Sequence, residues 1–256
     1  MIWHWCWQGT AGPRPRGRIR RRTWTSSLNT GLDEHFCKAS INLRNNRIIL
    51  NWPRASSFYS ASPVAARWWR AWLLTAPDRI FAAIEYAPGH WDPIGIDTVK
   101  LPEAALSVPQ FIIANGADNI CGTQRPYAYF GRYHDRAAMT FMIQNRVPHC
   151  CVMNVTHIVL LWLEDVIEQR TPSATTEPLV PIDRSHAWQG FIELESSGVM
   201  DGWKEPVWNV VDAWTKPYGS NAPTSTQDAG WLPSKRFAEA WLTFEKTREH
   251  PITRLE

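Results

Sequence analysis

The sequence contains Pro109-Gln-Phe-Ile-Ile-Ala-Asn-Gly-Ala-Asp118 and Met139-Thr-Phe-Met-Ile-Gln-Asn-Arg-Val-Pro-His149, two mostly apolar segments that each end in a polar residue. Short apolar runs of this kind are typical of strands that are buried on both faces. An aspartate ends the first segment and a histidine ends the second. Both residue types can transfer protons or orient a group that does.

Helical segments accompany the two predicted strands. One, Gln124 to Arg136, lies between them, and another, Val155 to Glu168, follows His149. Strand and helix in alternation predict a parallel sheet with right-handed crossovers. Because the carboxyl ends of parallel strands share one edge of the sheet, we expect Asp118 and His149 to meet at that edge.

The same pattern extends towards the N-terminus. Val64 to Leu74 has apolar residues at helical spacing, with Pro63 in the first turn and Pro77 after the end. Ile80 to Ala87 is a further apolar run and predicts a third buried strand. We therefore expect an α/β core over residues 55–170.

Residues 1–54 lack a clear periodicity and differ from the rest of the chain in charge. They hold ten of its 27 Lys and Arg residues but only two of its 24 Asp and Glu residues, within a net charge of +3. The basic run over residues 14–22 could bind a nucleic-acid backbone or an anionic membrane surface. No stacking platform or groove-reading motif accompanies it, so we interpret it as a solvated tail and do not expect nucleic acid as a partner.

Length and composition favour a globular protein, because 256 residues, 44% of them hydrophobic, allow one α/β domain with an appendage. No two of the five cysteines are separated by two residues, so no metal site is predicted, while a disulfide between Cys121 and Cys150 stays open. No apolar run approaches the ~20 residues that span a membrane. The first residues also lack the order of a signal peptide. A cytoplasmic location is therefore the default expectation.

Residues 171–256 are predicted to form a linker and a Trp-rich C-terminal extension. Thr171 to Pro178 has the composition of a linker. A helix is predicted from about Pro233 to Arg248, with Ser234 as its N-cap. Six of the 16 tryptophans lie in this extension. They could line a site for an aryl or sugar ligand, but their helical spacing around Trp241 favours a core.

Three short turns carry a resemblance to a known family. They are Ser60-Ala-Ser-Pro-Val-Ala-Ala-Arg, Asn115-Gly-Ala-Asp118 and Val147-Pro-His149. The turns resemble those that follow strands five, seven and eight of the α/β-hydrolase fold, in the branch of feruloyl esterases and polyhydroxybutyrate depolymerases, and their order is the one this fold uses. The resemblance covers under half of the chain. It implies a mostly parallel sheet of α/β-hydrolase type and a serine esterase acting on small-molecule esters.

The resemblance assigns a role to each residue. Ser60 is the nucleophile, His149 takes its proton, and Asp118 holds the imidazole in the required tautomer. The backbone N–H of Ala61 is one of the two donors that the oxyanion of the tetrahedral intermediate needs. Asp92 is an alternative acid, although the turn after the strand favours Asp118. No metal or organic cofactor is implied.

The turn at Ser60 departs from the Gly-x-Ser-x-Gly pattern of the family. Phe58 and Ser62 stand where the family has glycines, which let neighbouring backbones pass closely. The residues before Ser60 also lack strand–helix alternation, so either the sheet is incomplete on its N-terminal side or this region is unrelated to it. The alternative function is an impaired hydrolase relic or a binding protein. The pattern specifies neither the substrate nor the oligomeric state.

Overall fold

The computed structural model describes residues 56–60, 73–74, 77–88, 100–149, 155–172, 178–198, 206–220, 228–248 and 250. The basic region over residues 1–54 lies outside them, as do residues 173–177 of the predicted linker. Of the helix predicted over Val64–Leu74, only the last two residues are described, and both are helical. No helix in the described ranges is long and apolar enough to cross a membrane.

Four parallel strands form the first sheet, in the spatial order β1-β2-β3-β4. They are β1 (Ser56–Ser60), β2 (Ile80–Tyr86), β3 (Gln110–Ala117) and β4 (Met139–Pro148). The three strands predicted from apolar runs correspond to β2, β3 and β4. Every residue of β2 and all but the last of β3 are buried, which explains why these runs are continuous rather than alternating. The predicted α/β class with a parallel sheet is confirmed.

Two helices follow β3 and β4, as predicted. They are α1 (Gln124–Tyr133) and α2 (Thr156–Arg170). The prediction for α1 extended to Arg136, but the helix ends at Tyr133. There the N–H groups of Arg136 and Ala137 both donate to the Tyr133 carbonyl, at 3.0 and 2.8 Å, and form a turn.

The two helices pack on opposite faces of the sheet. Phe130 of α1 stacks on Phe141 of β4, with ring centroids 5.2 Å apart. Trp162 of α2 packs on Phe111 of β3 at 5.4 Å. Phe111 pairs with Thr140, the residue before Phe141, and successive residues of a strand point to opposite faces. The parallel sheet is therefore covered on both sides, as buried parallel strands require.

The C-terminal part of the chain forms a second, antiparallel sheet in the order β6-β5-β7, followed by a third helix. These elements are β5 (Trp188–Ser197), β6 (Val207–Pro217), β7 (Gly230–Leu232) and α3 (Lys235–Glu245). The sequence predicted the helix but not the antiparallel sheet. The predicted helix began two residues too early and ended three residues too late. Ser234 is the predicted N-cap, since its side chain accepts the N–H of Phe237 at 3.0 Å.

Both sheets share one apolar core. Trp162, Trp231 and Trp241 are the three largest fully buried side chains among the described residues. The rings of Trp162 and Trp231 meet edge to face, with centroids 6.3 Å apart. Gly190 of β5 leaves room for the third indole, because a Cβ there would lie 2.8 Å from the ring of Trp241. Trp231 and Trp241, from the C-terminal part of the chain, thus belong to the same core as the parallel sheet.

Helix α3 covers the open edge of the parallel sheet at β4. The Nε1–H of Trp241 donates to the carbonyl of Phe141 at 2.9 Å, and Glu245 Oε1 accepts the N–H of Ile143 at 3.0 Å. Trp241 and Glu245 are one helical turn apart and lie on one face. Phe141 and Ile143 are two residues apart and direct these groups away from β3. The edge is therefore closed to pairing with another strand.

Glu245 covers this edge as a buried acid. It is only 1% exposed, and its Oε2 has no hydrogen-bond partner among the described residues. Burial raises the pKa of the Glu245 carboxyl well above its ordinary value of 4.5, because desolvation disfavours the charged form. The acid is therefore held in its neutral form over a wider pH range than an exposed glutamate.

We expect Glu245→Gln to stabilise the protein progressively as the pH rises above the unfolded pKa of 4.5. A raised folded-state pKa contributes stability that is fully present below the unfolded pKa and is lost as the pH rises through the folded value. The neutral amide keeps an acceptor for Ile143 and does not ionise. The melting temperatures of the wild-type protein and of Glu245→Gln, measured from about pH 4 to about pH 8, should be equal at the acid end. At higher pH the variant should melt at the higher temperature. As a control, the exposed Glu239→Gln on the same helix should have the same dependence of melting temperature on pH as the wild-type protein. If the curve for Glu245→Gln also runs parallel to the wild-type curve, the prediction is wrong.

Candidate active site

Asp118 lies directly after β3 and is almost completely buried, with 1% of its surface exposed. Its Oδ1 accepts the N–H groups of Ile120 and Cys121, each at 2.9 Å. Its own N–H donates to the carbonyl of Asn115 at 3.0 Å. A side-chain oxygen that binds the backbone two and three residues on fixes the turn and the carboxylate together.

His149 lies directly after β4, and its imidazole contacts the carboxylate of Asp118. The His149 Nδ1 is 2.9 Å from Oδ2 and 3.0 Å from Oδ1 of Asp118. The carboxylate is an acceptor, so this contact favours the tautomer with its proton on Nδ1. In that tautomer the other ring nitrogen, Nε2, carries a lone pair that can accept a hydrogen bond. The predicted meeting of these two residues at the sheet edge is confirmed.

Ser60 is the last residue of β1, and its main chain pairs with Glu85 of β2. Its strand is separated from β3 by β2. The register places Ser60 level with Ile112 of β3 and Phe141 of β4, six residues before Asp118 and eight residues before His149. About 20 Å of strand, at roughly 3.3 Å per residue, therefore lies between the level of Ser60 and that of Asp118. The structure describes the backbone of Ser60 but not its side chain. Ala61, the predicted oxyanion donor, lies outside the described residues. The catalytic roles of Ser60 and Ala61 stay predictions.

The described residues include only part of the other positions that the sequence singled out. Phe58 lies within β1, where its main chain pairs with Ala83. Ser62, Asp92 and Cys150 lie outside the described residues, so the elbow, the alternative acid and the Cys121–Cys150 disulfide stay predictions. Glu85, which the sequence analysis did not single out, is buried at the end of β2 beside Ser60 in the sheet.

A buried polar network lies just below the edge. Gln144 Nε2 donates to Asn115 Oδ1 at 2.6 Å and to Tyr86 Oη at 2.9 Å, and Asn115 Nδ2 donates to the carbonyl of Pro148 at 3.1 Å. The network joins β2, β3 and β4 directly before Asp118 and His149. This network was not predicted from the sequence. The available signal was two amide side chains near the ends of otherwise apolar strands, since buried amides need partners.

Strand β6 approaches the same edge. A Cβ on Gly116 would lie 2.3 Å from the carbonyl oxygen of Trp208, so only glycine fits at this position of β3. The N–H of Val210 donates to Asn145 Oδ1 at 2.8 Å. The second sheet therefore contacts the parallel sheet within a few residues of Asp118 and His149.

Three side chains at the edge could also hold a metal ion. Ligand atoms of Asp118, Cys121 and His149 all lie within 4.8 Å of one another. Two ligands of one tetrahedral zinc ion at about 2.0–2.1 Å stand roughly 3.3 Å or more apart. The 2.9 Å distance between Asp118 and His149 is shorter and fits a direct hydrogen bond. The arrangement therefore fits an acid–imidazole pair better than a zinc site.

Comparisons of the chain with models of protein families, with curated proteins and with solved structures found no match.

Proposed function

We propose that this protein is a serine hydrolase that cleaves carboxylic esters through an acyl-enzyme intermediate. The single observation that carries the proposal is the contact between the buried carboxylate of Asp118 and Nδ1 of His149, at 2.9 Å. A buried acid that orients a partly exposed imidazole is the part of a Ser-His-Asp triad that prepares a base. The imidazole is 22% exposed, so a substrate can reach it.

The order of strands supports Ser60 as the third member. In the α/β-hydrolase family that the sequence resembles, the nucleophile, acid and histidine follow strands five, seven and eight. Ser60 ends β1, while Asp118 and His149 follow β3 and β4 of the run β1-β2-β3-β4. The order of the three strands across the sheet is the same, with one strand between the nucleophile and the acid, while the register leaves Ser60 six residues short of the level of Asp118.

The proposed reaction has two halves. In the first, Ser60 Oγ attacks the ester carbonyl while Nε2 of His149 takes the hydroxyl proton, and the alcohol then leaves with that proton. In the second, water attacks the acyl group and gives one proton to Nε2, which passes it to Ser60 Oγ as the carboxylic acid leaves. Asp118 holds Nδ1 of His149 and stabilises the imidazolium in both halves. The backbone N–H of Ala61 is the proposed first donor to the oxyanion.

The alternative is a hydrolase relic or binding protein that keeps the acid–imidazole pair but no working nucleophile. Phe58 favours it, because a large residue stands two positions before Ser60 where the family has glycine. The two functions differ in the reactivity of Ser60, which can be measured directly.

Covalent labelling with a fluorophosphonate probe tests the proposal. We expect labelling of the folded wild-type protein, loss of labelling in Ser60→Ala and in His149→Gln, and unchanged labelling in Ser57→Ala, the matched serine of β1. Mass spectrometry of the labelled peptide locates the modified residue. A folded protein without Ser60-dependent labelling would establish the relic instead.

A further inference from the structure

Strand β4 contains extra residues directly before His149. Asn115 of β3 pairs with Gln144, and Ala117 pairs with Pro148, so two steps along β3 correspond to four along β4. Such an insertion is a bulge, which bends a strand and changes the direction of the side chains that follow. Arg146, inside the bulge, has φ of +61°, a left-handed conformation that non-glycine residues rarely adopt. This conformation costs energy, so other contacts must hold it.

Asn145 supplies those contacts. Its side chain is buried, with 2% of the residue exposed. Its Oδ1 accepts the N–H of Val210 in β6 at 2.8 Å. Its Nδ2 donates to two carbonyls at the end of α3, that of Thr247 at 3.1 Å and that of Glu245 at 3.4 Å. One amide thus joins the bulge to both the second sheet and the third helix.

We propose that Asn145 is a positioning residue that holds the bulge and so keeps the His149 imidazole against Asp118. Asn145 lies four positions before His149, and the bulge between them sets where β4 ends. Asn115 holds the other end of the same segment through the carbonyl of Pro148. Since an amide offers both an acceptor and two donors, the asparagine side chain can accept from β6 and donate to the end of α3 at the same time.

The C-terminal extension therefore takes part in forming the site. The donor from Val210 and the acceptors at Glu245 and Thr247 lie more than 60 residues beyond His149 in sequence. The effect of Asn145 on turnover rests on the proposed esterase function. The effect of Asn145 on the position of the imidazole is independent of that function, because the contact between Asp118 and His149 can be observed without a substrate.

The experiment compares Asn145→Ala with Thr140→Val in protein labelled with ¹⁵N-histidine. Thr140 also joins β4 to the second sheet, because its hydroxyl binds the carbonyl of Trp231 and the indole of Trp162, but it lies at the other end of the strand. The matched readout is the Nδ1–H proton signal of His149, assigned by its loss in His149→Gln. Turnover of a p-nitrophenyl ester gives kcat and KM for the same samples.

We expect Asn145→Ala to weaken or abolish the Nδ1–H signal and to lower kcat about a hundredfold, the loss typical of a catalytic group misplaced by about 1 Å. Thr140→Val should lower the melting temperature but keep both the signal and kcat. If the alanine variant does not fold, Asn145→Asp gives the same comparison, because it keeps the acceptor for Val210 and loses the donors to α3.

An unchanged Nδ1–H signal in folded Asn145 variants would overturn the proposal, as would an equal loss in Thr140→Val. A wild-type protein that shows the signal but hydrolyses no ester would instead contradict the esterase function. In that case loss of the signal in Asn145→Ala still supports the positioning role. The two failures are therefore distinguishable.

Discussion

Replacing Asp118 with asparagine is expected to lower kcat for ester hydrolysis by about 10⁴-fold, the loss that an acid-to-amide change causes in a Ser-His-Asp triad. The amide keeps an oxygen that can accept from Ile120 and Cys121, so the turn after β3 survives. Its NH₂ group then faces Nδ1 of His149, where the carboxylate was. The amide donates to that nitrogen and moves the imidazole proton to Nε2, which can no longer take a proton from Ser60.

Steady-state kinetics with a p-nitrophenyl ester checks this expectation. The control is Asp165→Asn, a second buried aspartate, which lies in α2 and binds Ser234 and Arg236 instead of a histidine. It should cost stability without changing kcat. A fall of less than about tenfold in Asp118→Asn, in protein with native circular dichroism, would show that Asp118 does not orient the base.

The parallel sheet could be predicted from sequence because its strands are buried on both faces. Continuous apolar runs such as 80–84 and 111–114 are local signals that need no knowledge of the rest of the fold. The antiparallel sheet has no such signal. In β5 and β6 buried, half-buried and exposed residues mix without a clean alternation, since Trp188 and Trp208 are half-buried and Val211 is exposed.

The acid–imidazole pair could be predicted because its position follows from topology. Asp118 and His149 each end a strand, and adjacent parallel strands bring their carboxyl ends together. The contacts that set the geometry of this pair could not be predicted from the sequence. The amide of Asn145 finds its partners about 65 and 100 residues away, and no local pattern encodes such a pairing. The bulge at Arg146 is likewise invisible in sequence, because arginine has no preference for a positive φ.

Trp241→Ala is expected to lower the free energy of unfolding by about 3–5 kcal/mol, the range for truncating a buried aromatic side chain. The indole is 1% exposed and lies against Gly190 of β5, so its loss leaves a cavity between the two sheets. It also removes the Nε1–H donor from the Phe141 carbonyl at the β4 edge. An unpartnered buried carbonyl adds to the cost.

Urea unfolding of three variants separates these contributions. Trp241→Phe keeps much of the apolar volume but not the hydrogen-bond donor. Its free energy of unfolding should therefore fall by less than that of Trp241→Ala, by about 1–3 kcal/mol for the unpartnered carbonyl. Lys235→Ala, at an exposed position of the same helix, should change stability by less than about 0.5 kcal/mol. Equal losses in Trp241→Phe and Trp241→Ala would mean that the hydrogen bond, and not the packing of the ring, joins α3 to β4.

The same variant connects stability to the site. Because the carbonyls that hold Asn145 lie at the end of α3, loosening this helix should release the bulge before the whole protein unfolds. In Trp241→Ala we therefore expect the Nδ1–H signal of His149 to weaken at urea concentrations where circular dichroism still reports a folded protein. Thr140→Val, adjusted with urea to the same overall stability, should keep the signal, since its lost hydrogen bonds lie at the far end of β4.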